Sequence, residues 1–135
     1  REPRFVGDMP HGWVASDYIG AVLDMFAYER RSDRSLVLAA GIAPQWLEAG
    51  IGVSGLHTVH GPLSYRLQRV GDRLELHIDS GITPPPGGFV IPWPYRGKPG
   101  RTLLNGRPKL WENERELRVP TVPAAVTVEL PAIRN

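Results

Sequence analysis

The chain has 135 residues, 41% of them hydrophobic and 22% charged, a length that suits one domain and a composition that excludes wholesale disorder. Sixteen Lys and Arg against fourteen Asp and Glu leave a formal charge of +2, interspersed along the chain, which gives no support to nucleic-acid binding. The absence of cysteine excludes disulfides and thiolate metal sites, no apolar run is long enough to span a bilayer, and Arg1-Glu2-Pro3-Arg4 opens no signal-peptide pattern.

Fourteen prolines and fifteen glycines make up more than a fifth of the chain, so tight turns and short strands are expected. Residues Arg1 to Gly12 read as an extended lead-in. Val14 to Tyr28 reads as one helix. At about 100° per residue, Ser16, Asp17, Gly20 and Asp24 form a narrow polar stripe, and apolar residues fill the rest of the circumference. Such a helix must be buried on more than one side, which makes it a junction between the β-region that follows and a further domain or partner. Arg30, Arg31 and Arg34 then read as a solvated helix end that complements the helix dipole. The boundaries expected are a lead-in and junction helix over 1–34 and a β-domain over 35–135.

Leu36 to Ala40 is a continuous apolar run bounded by Gly41, as in a strand buried on both faces. Pro44 to Glu48 reads as a single helical turn begun by proline and stopped by Gly50, and Ile51 to Leu56 as a glycine-broken strand or loop. The clearest local signal is Leu63 to Val70, then Gly71-Asp72, then Arg73 to Asp79. Both arms alternate with period two about a dipeptide suited to a type II′ turn. The register this implies puts Leu67 opposite Leu76 and Tyr65 opposite Ile78 on one face, with Gln68 opposite Glu75 and Arg66 opposite His77 on the other. Pro84-Pro85-Pro86 favours a rigid polyproline connector. Phe89 to Pro92 reads as an edge strand, because Pro92 lacks a ladder donor. Asn105-Gly106 marks a second hairpin with Pro108 on an edge, and Glu116 to Val119 and Ala125 to Leu130 complete the strands. The expected fold is therefore mainly β: an antiparallel β-sandwich of about seven or eight short strands with one N-terminal α-helix.

Little in the chain reads as self-contained chemistry. His57-Thr58-Val59-His60 has an H-x-x-H spacing, but it lies in a loop with no third ligand nearby in sequence, so no metal is expected. His77 and Asp79 alternate outward on one strand. No nucleophile elbow or phosphate-cradling glycine loop is present, and no cofactor is implied. Trp93, Tyr95 and Trp111 admit two readings: rings that plug the open ends of a small sandwich, or exposed platforms on which sugar faces stack. Asp8, His11 and Trp13 form a polar and aromatic group just before the helix.

Several stretches together resemble a known family. They are Gly7-Asp8-Met9-Pro10-His11-Gly12-Trp13-Val14, Phe26-Ala27-Tyr28-Glu29, Leu36 to Gly41, Trp46-Leu47, Gly61-Pro62-Leu63-Ser64-Tyr65 and the late Asn105-Gly106. In this order they look like the C-terminal region of six-hairpin glycosidases, among them the bacterial α-L-rhamnosidase-like glycoside hydrolases. The resemblance implies that this chain is the end of such an enzyme: the last helix of an α/α barrel, followed by a C-terminal β-sandwich. The catalytic acid and base would then lie upstream of Arg1. His11 and Trp13 match a stretch that approaches the sugar pocket in these enzymes. It further implies a partner in the upstream catalytic domain, a secreted or periplasmic setting, and a capping role. The alternatives are a carbohydrate-binding module using Trp93, Tyr95 or Trp111, and a small independent hydrolase built on His11, His57 or His60 with a carboxylate.

Overall fold

A computed structural model describes the backbone of residues 13–14 and residues 25–113 and 115–130 in full. Among these residues the short, turn-bounded apolar segments form eleven strands: β1 (Trp13–Val14), β2 (Ala27–Arg30), β3 (Ser35–Leu38), β4 (Ile51–Thr58), β5 (Gly61–Val70), β6 (Arg73–Ile78), β7 (Phe89–Pro92), β8 (Thr102–Leu104), β9 (Arg107–Pro108), β10 (Glu116–Val119) and β11 (Ala124–Glu129). They make two sheets, one ordered β1-β4-β5-β6-β11-β8-β9 and one ordered β10-β7-β3-β2. The protein is mainly β.

The β5–β6 hairpin has the register its pattern demands: Tyr65 faces Ile78, Leu67 faces Leu76, Gln68 faces Glu75 and Arg66 faces His77. Gly71 takes the positive φ of 63° that a primed turn requires at its first central residue. Asn105 and Gly106, at φ 51° and 83°, likewise close β8 onto β9, with Pro108 on the sheet edge. Pro44–Glu48 is a 3-10 turn begun by proline. The glycines of β4 leave a strand with a register shift between Val53 and Leu56, where the Gly55 amide donates to Ser64 Oγ at 2.9 Å. Alternate residues of the strands from both sheets meet in one core, which includes Leu36, Leu38, Val53, Leu63, Tyr65, Leu67, Leu76, Phe89, Leu117 and Val126.

Four expectations are corrected. The helix over Val14 to Tyr28 is not seen among the described residues. Val14 lies in β1, parallel to β4, Met25 and Phe26 are helical, and Ala27 and Tyr28 already belong to β2. Residues 15–24, where most of the pattern falls, lie outside the described residues. Ala27 to Arg30 pairs antiparallel with the apolar β3, and that pairing decides this end of the pattern in favour of strand. Arg30, Arg31 and Arg34 therefore sit at a hairpin turn, not at a helix end. Phe89–Pro92 is a central strand, flanked by β3 and β10. Pro92 is tolerated there because the parallel pairing to β3 involves only Phe89 and Val90, so no ladder donor is missed. Finally, the strands number eleven among the described residues, and β1–β4 and β3–β7 are parallel. The first 34 residues thus contribute β1 and β2 to the two sheets.

Gly87 follows the proline connector and packs against the turn between β2 and β3. Its amide donates to the Arg34 carbonyl at 2.8 Å, and a Cβ added there would meet Asp33 O at 2.1 Å and the Arg34 and Ser35 backbone at 2.8 Å. Backbone cannot move aside as a side-chain tip can. Gly87→Ala is therefore expected to cost about 3 kcal/mol, the upper range for overpacking. Gly41→Ala, at φ 73° in open space, should cost only about 1 kcal/mol for its left-handed backbone. Urea denaturation of both variants, compared at equal slope, checks the difference.

Candidate functional site

The three rings singled out in the sequence come together. Trp93 stacks edge-on against Tyr95, with centroids 5.3 Å apart, and against Trp111 at 5.5 Å. Trp93 and Tyr95 are only 3% and 9% exposed, and Trp111 is half-buried. Their polar atoms are largely committed to the fold. Trp93 Nε1 donates to the Gly97 carbonyl at 3.0 Å and Trp111 Nε1 to Thr102 Oγ1 at 2.8 Å. The Arg115 guanidinium caps the Trp93 carbonyl at 2.9 Å and the Tyr95 carbonyl at 3.3 Å. The Tyr95 hydroxyl is buried with no hydrogen-bond partner among the described residues, and burial pushes its ionisation upward.

The histidines are dispersed. His57 is exposed on β4, and His77 is exposed on the outer face of β6 opposite Arg66, beside exposed Asp79. His60, in the turn between β4 and β5, places Nε2 3.4 Å from Glu29 Oε2 on β2. Among the described residues no three His, Cys, Asp or Glu side chains gather to hold a metal, and no helix is long and apolar enough to cross a membrane. His11 lies outside the described residues, as do Asp8 and the side chain of Trp13; the Trp13 backbone pairs with Gly52.

The strongest electrostatic feature is one the sequence reading missed. Arg30 grips Asp33 through Nε and Nη2, at 3.2 and 2.7 Å, and Glu116 through Nη1 and Nη2, at 2.7 and 3.1 Å. Asp33 also accepts from Arg118 Nη2 at 3.1 Å and from Ser35 Oγ at 2.6 Å, and Arg118 donates to the Gly87 carbonyl. Arg30 and Glu116 stand on β2 and β10, the two outer strands of the four-stranded sheet. By the alternation of the strands they share a face with Arg118, Val37 and Val90. The ionic strap thus runs from one edge to the other over the face opposite the main core. Val37 and Val90 are 1% and 0% exposed although they lie outside that core. Bidentate Arg–carboxylate pairing supplies geometric rigidity, and the long arginine stems supply apolar cover. Only the Arg30–Asp33 half was legible as an i,i+3 pair; Glu116 lies 86 residues away.

Beside the strap, a pocket of about 250 Å³ opens between the β2–β3 turn, the β4–β5 turn and Pro86. Glu29, Arg30, Arg31, Arg34, Ser35, Val59, His60 and Pro86 line it. A scan against protein-family models and searches of curated proteins and of solved structures return no match for this chain.

The Arg30 guanidinium, then the Ser35 hydroxyl and Arg118, hold the Asp33 carboxyl well below the usual carboxylate range, against the opposing effect of burial. A carboxyl lowered on folding contributes stability that is present above its unfolded pKa and is lost as pH falls through the folded value. The contacts of Asp33 are therefore intact at neutral pH and fail only in strong acid. Asp33→Asn should lower stability at pH 7 by about 1 kcal/mol, because the network is partly solvated and screened. The deficit should shrink as pH falls below the ordinary carboxylate range and also in molar salt. Denaturation curves for both proteins across pH and salt check this; a deficit independent of both would mean that Asp33 acts through packing alone.

Proposed function

We propose that this chain is the non-catalytic C-terminal β-sandwich of a larger bacterial glycoside hydrolase, where it caps and stabilises an upstream α/α-barrel domain. The reading rests on the ordered resemblance that runs through nearly the whole sequence. The observation that favours a cap over a carbohydrate-binding module is the packing of Trp93 and Tyr95. Their rings are buried against each other and against Trp111, and their backbone is held by Arg115, so they offer no flat face to a sugar. The perturbed ionisable groups point the same way. Arg30 and Asp33 are spent on each other, and Tyr65 is held neutral by burial inside the core, as in structural networks.

The broad apolar helix that first suggested a missing domain carries less weight than it did in the sequence, since both of its ends are strand. The test is therefore made on the parent polypeptide. Its coding sequence should encode helical hairpins upstream of Arg1, and the whole polypeptide should hydrolyse an aryl glycoside. Deleting this domain should lower the temperature of half-inactivation by several degrees without creating a new specificity. The isolated chain should neither turn over aryl glycosides nor bind neutral oligosaccharides saturably at millimolar concentration. Turnover by the isolated chain, or saturable binding that Trp111→Ala abolishes, would sink the capping role in favour of an enzyme or a sugar-binding module.

A further inference from the structure

We infer that the pocket between the β2–β3 and β4–β5 turns is a binding site for a small hydroxylated monocarboxylate, with the size and chemistry of a sugar acid. The pocket measures about 250 Å³, room for one ring-sized solute. Of its three arginines, Arg30 is committed to Asp33 and Glu116, whereas Arg31 and Arg34 are exposed and their side chains make no hydrogen bond or ion pair among the described residues. Among the described residues both guanidiniums are thus unspent, and a guanidinium is the side chain best matched to the fork of a carboxylate. Arg34 also occupies a turn position at φ 59°, where glycine or asparagine would be less costly. A long cation held in that conformation at a pocket rim suggests use.

The remaining walls decide which anion. Glu29 brings a negative charge to the same pocket and is paired with His60 at 3.4 Å. A dianion such as phosphate meets that charge at full strength, whereas a monoanion meets it at half. The same carboxylate is a strong acceptor for hydroxyl groups. Val59, 81% exposed, and Pro86 provide an apolar wall for the C–H face of a ring. The frame is pre-formed. The Gly87 amide holds the Arg34 carbonyl at 2.8 Å, the Thr83 amide holds the His60 carbonyl at 2.9 Å, and the His60 amide donates to Thr58 Oγ1 at 3.0 Å. Little ordering is needed on binding.

The site belongs to these residues whatever the parent polypeptide does, so its test is separate from that of the capping role. Calorimetric titration and amide-shift mapping of the chain with D-glucuronate should show saturable binding in the millimolar range, with shifts confined to residues 29–35, 57–60 and 86–87. D-Glucose should not bind, and inorganic phosphate should bind about tenfold more weakly than glucuronate. The Arg31→Ser/Arg34→Asn variant should weaken glucuronate by about tenfold or more. Its fold is preserved because asparagine tolerates the left-handed turn position, which an unchanged thermal midpoint verifies. Arg107→Ser, on β9 at the far edge of the other sheet, should bind as the parent does. No saturation with glucuronate, phosphate binding as tightly, or an equal loss in Arg107→Ser would each overturn the assignment.

Discussion

One carbonyl oxygen joins the two sheets. Phe26 O, immediately before β2, accepts the Tyr65 hydroxyl at 2.6 Å and the Ala39 amide at 3.1 Å. Tyr65 stands on β5 in the seven-stranded sheet, whereas Phe26 and Ala39 lie at the adjacent ends of β2 and β3 in the four-stranded one. All of this is buried, so both lone pairs of the carbonyl and the phenol proton are satisfied where an unmatched group would cost about 1–3 kcal/mol. Burial pushes the phenol ionisation far upward, offset only in part by the nearby Ala39 amide. The hydroxyl is therefore held in its protonated, donating form. Because a hydrogen bond tolerates little error in distance, this joint fixes how the β2–β3 hairpin sits on β5, and through β3 how β7 and β10 follow.

With the inner face of the four-stranded sheet committed to the core, its outer face needs its own cover. Val37 and Val90 are neighbours in the parallel pair β3–β7, and strands buried on both faces read as continuous apolar runs. The ionic strap of Arg30, Asp33, Glu116 and Arg118 crosses that face and places charge at both outer strands, a common defence against edge-to-edge association. A salt bridge at such a site contributes little stability by itself. Its larger contribution is positional, since Arg118 also binds the Gly87 carbonyl and so anchors the proline connector to the β2–β3 turn.

The parts of this fold that were legible in the sequence are those decided within a few residues. Gly71-Asp72 and Asn105-Gly106 dictate their hairpins because the left-handed conformations they need are local, and the alternating arms then fix the register. The helix expected to reach Tyr28 does not do so, because Ala27 and Tyr28 pair with β3, a partner that the local apolar pattern does not reveal. Phe89–Pro92 was misplaced because a proline weakens a central strand only where its missing donor is called for, and that depends on a partner distant in sequence. The strap and the pocket are non-local for the same reason. Nothing near Arg30 forecasts Glu116, and nothing near His60 forecasts Glu29 or Arg34.

The four-residue turn between β2 and β3 explains how one short segment serves two faces. It carries Arg31 and Arg34 within it and Arg30 just before it, with Asp33 as its one carboxylate. Asp33 is saturated by Arg30, Ser35 and Arg118, so its charge is consumed on the outer face of the sheet. Arg31 and Arg34 are left without a compensating partner in the turn and line the pocket with Glu29 and His60. The fold-holding contact and the positive charge left at the turn are thus consequences of a single allocation of one carboxylate. Because Gly87 takes Arg118 on its carbonyl and holds the Arg34 carbonyl with its amide, the geometry of the pocket rim is tied to the integrity of the strap.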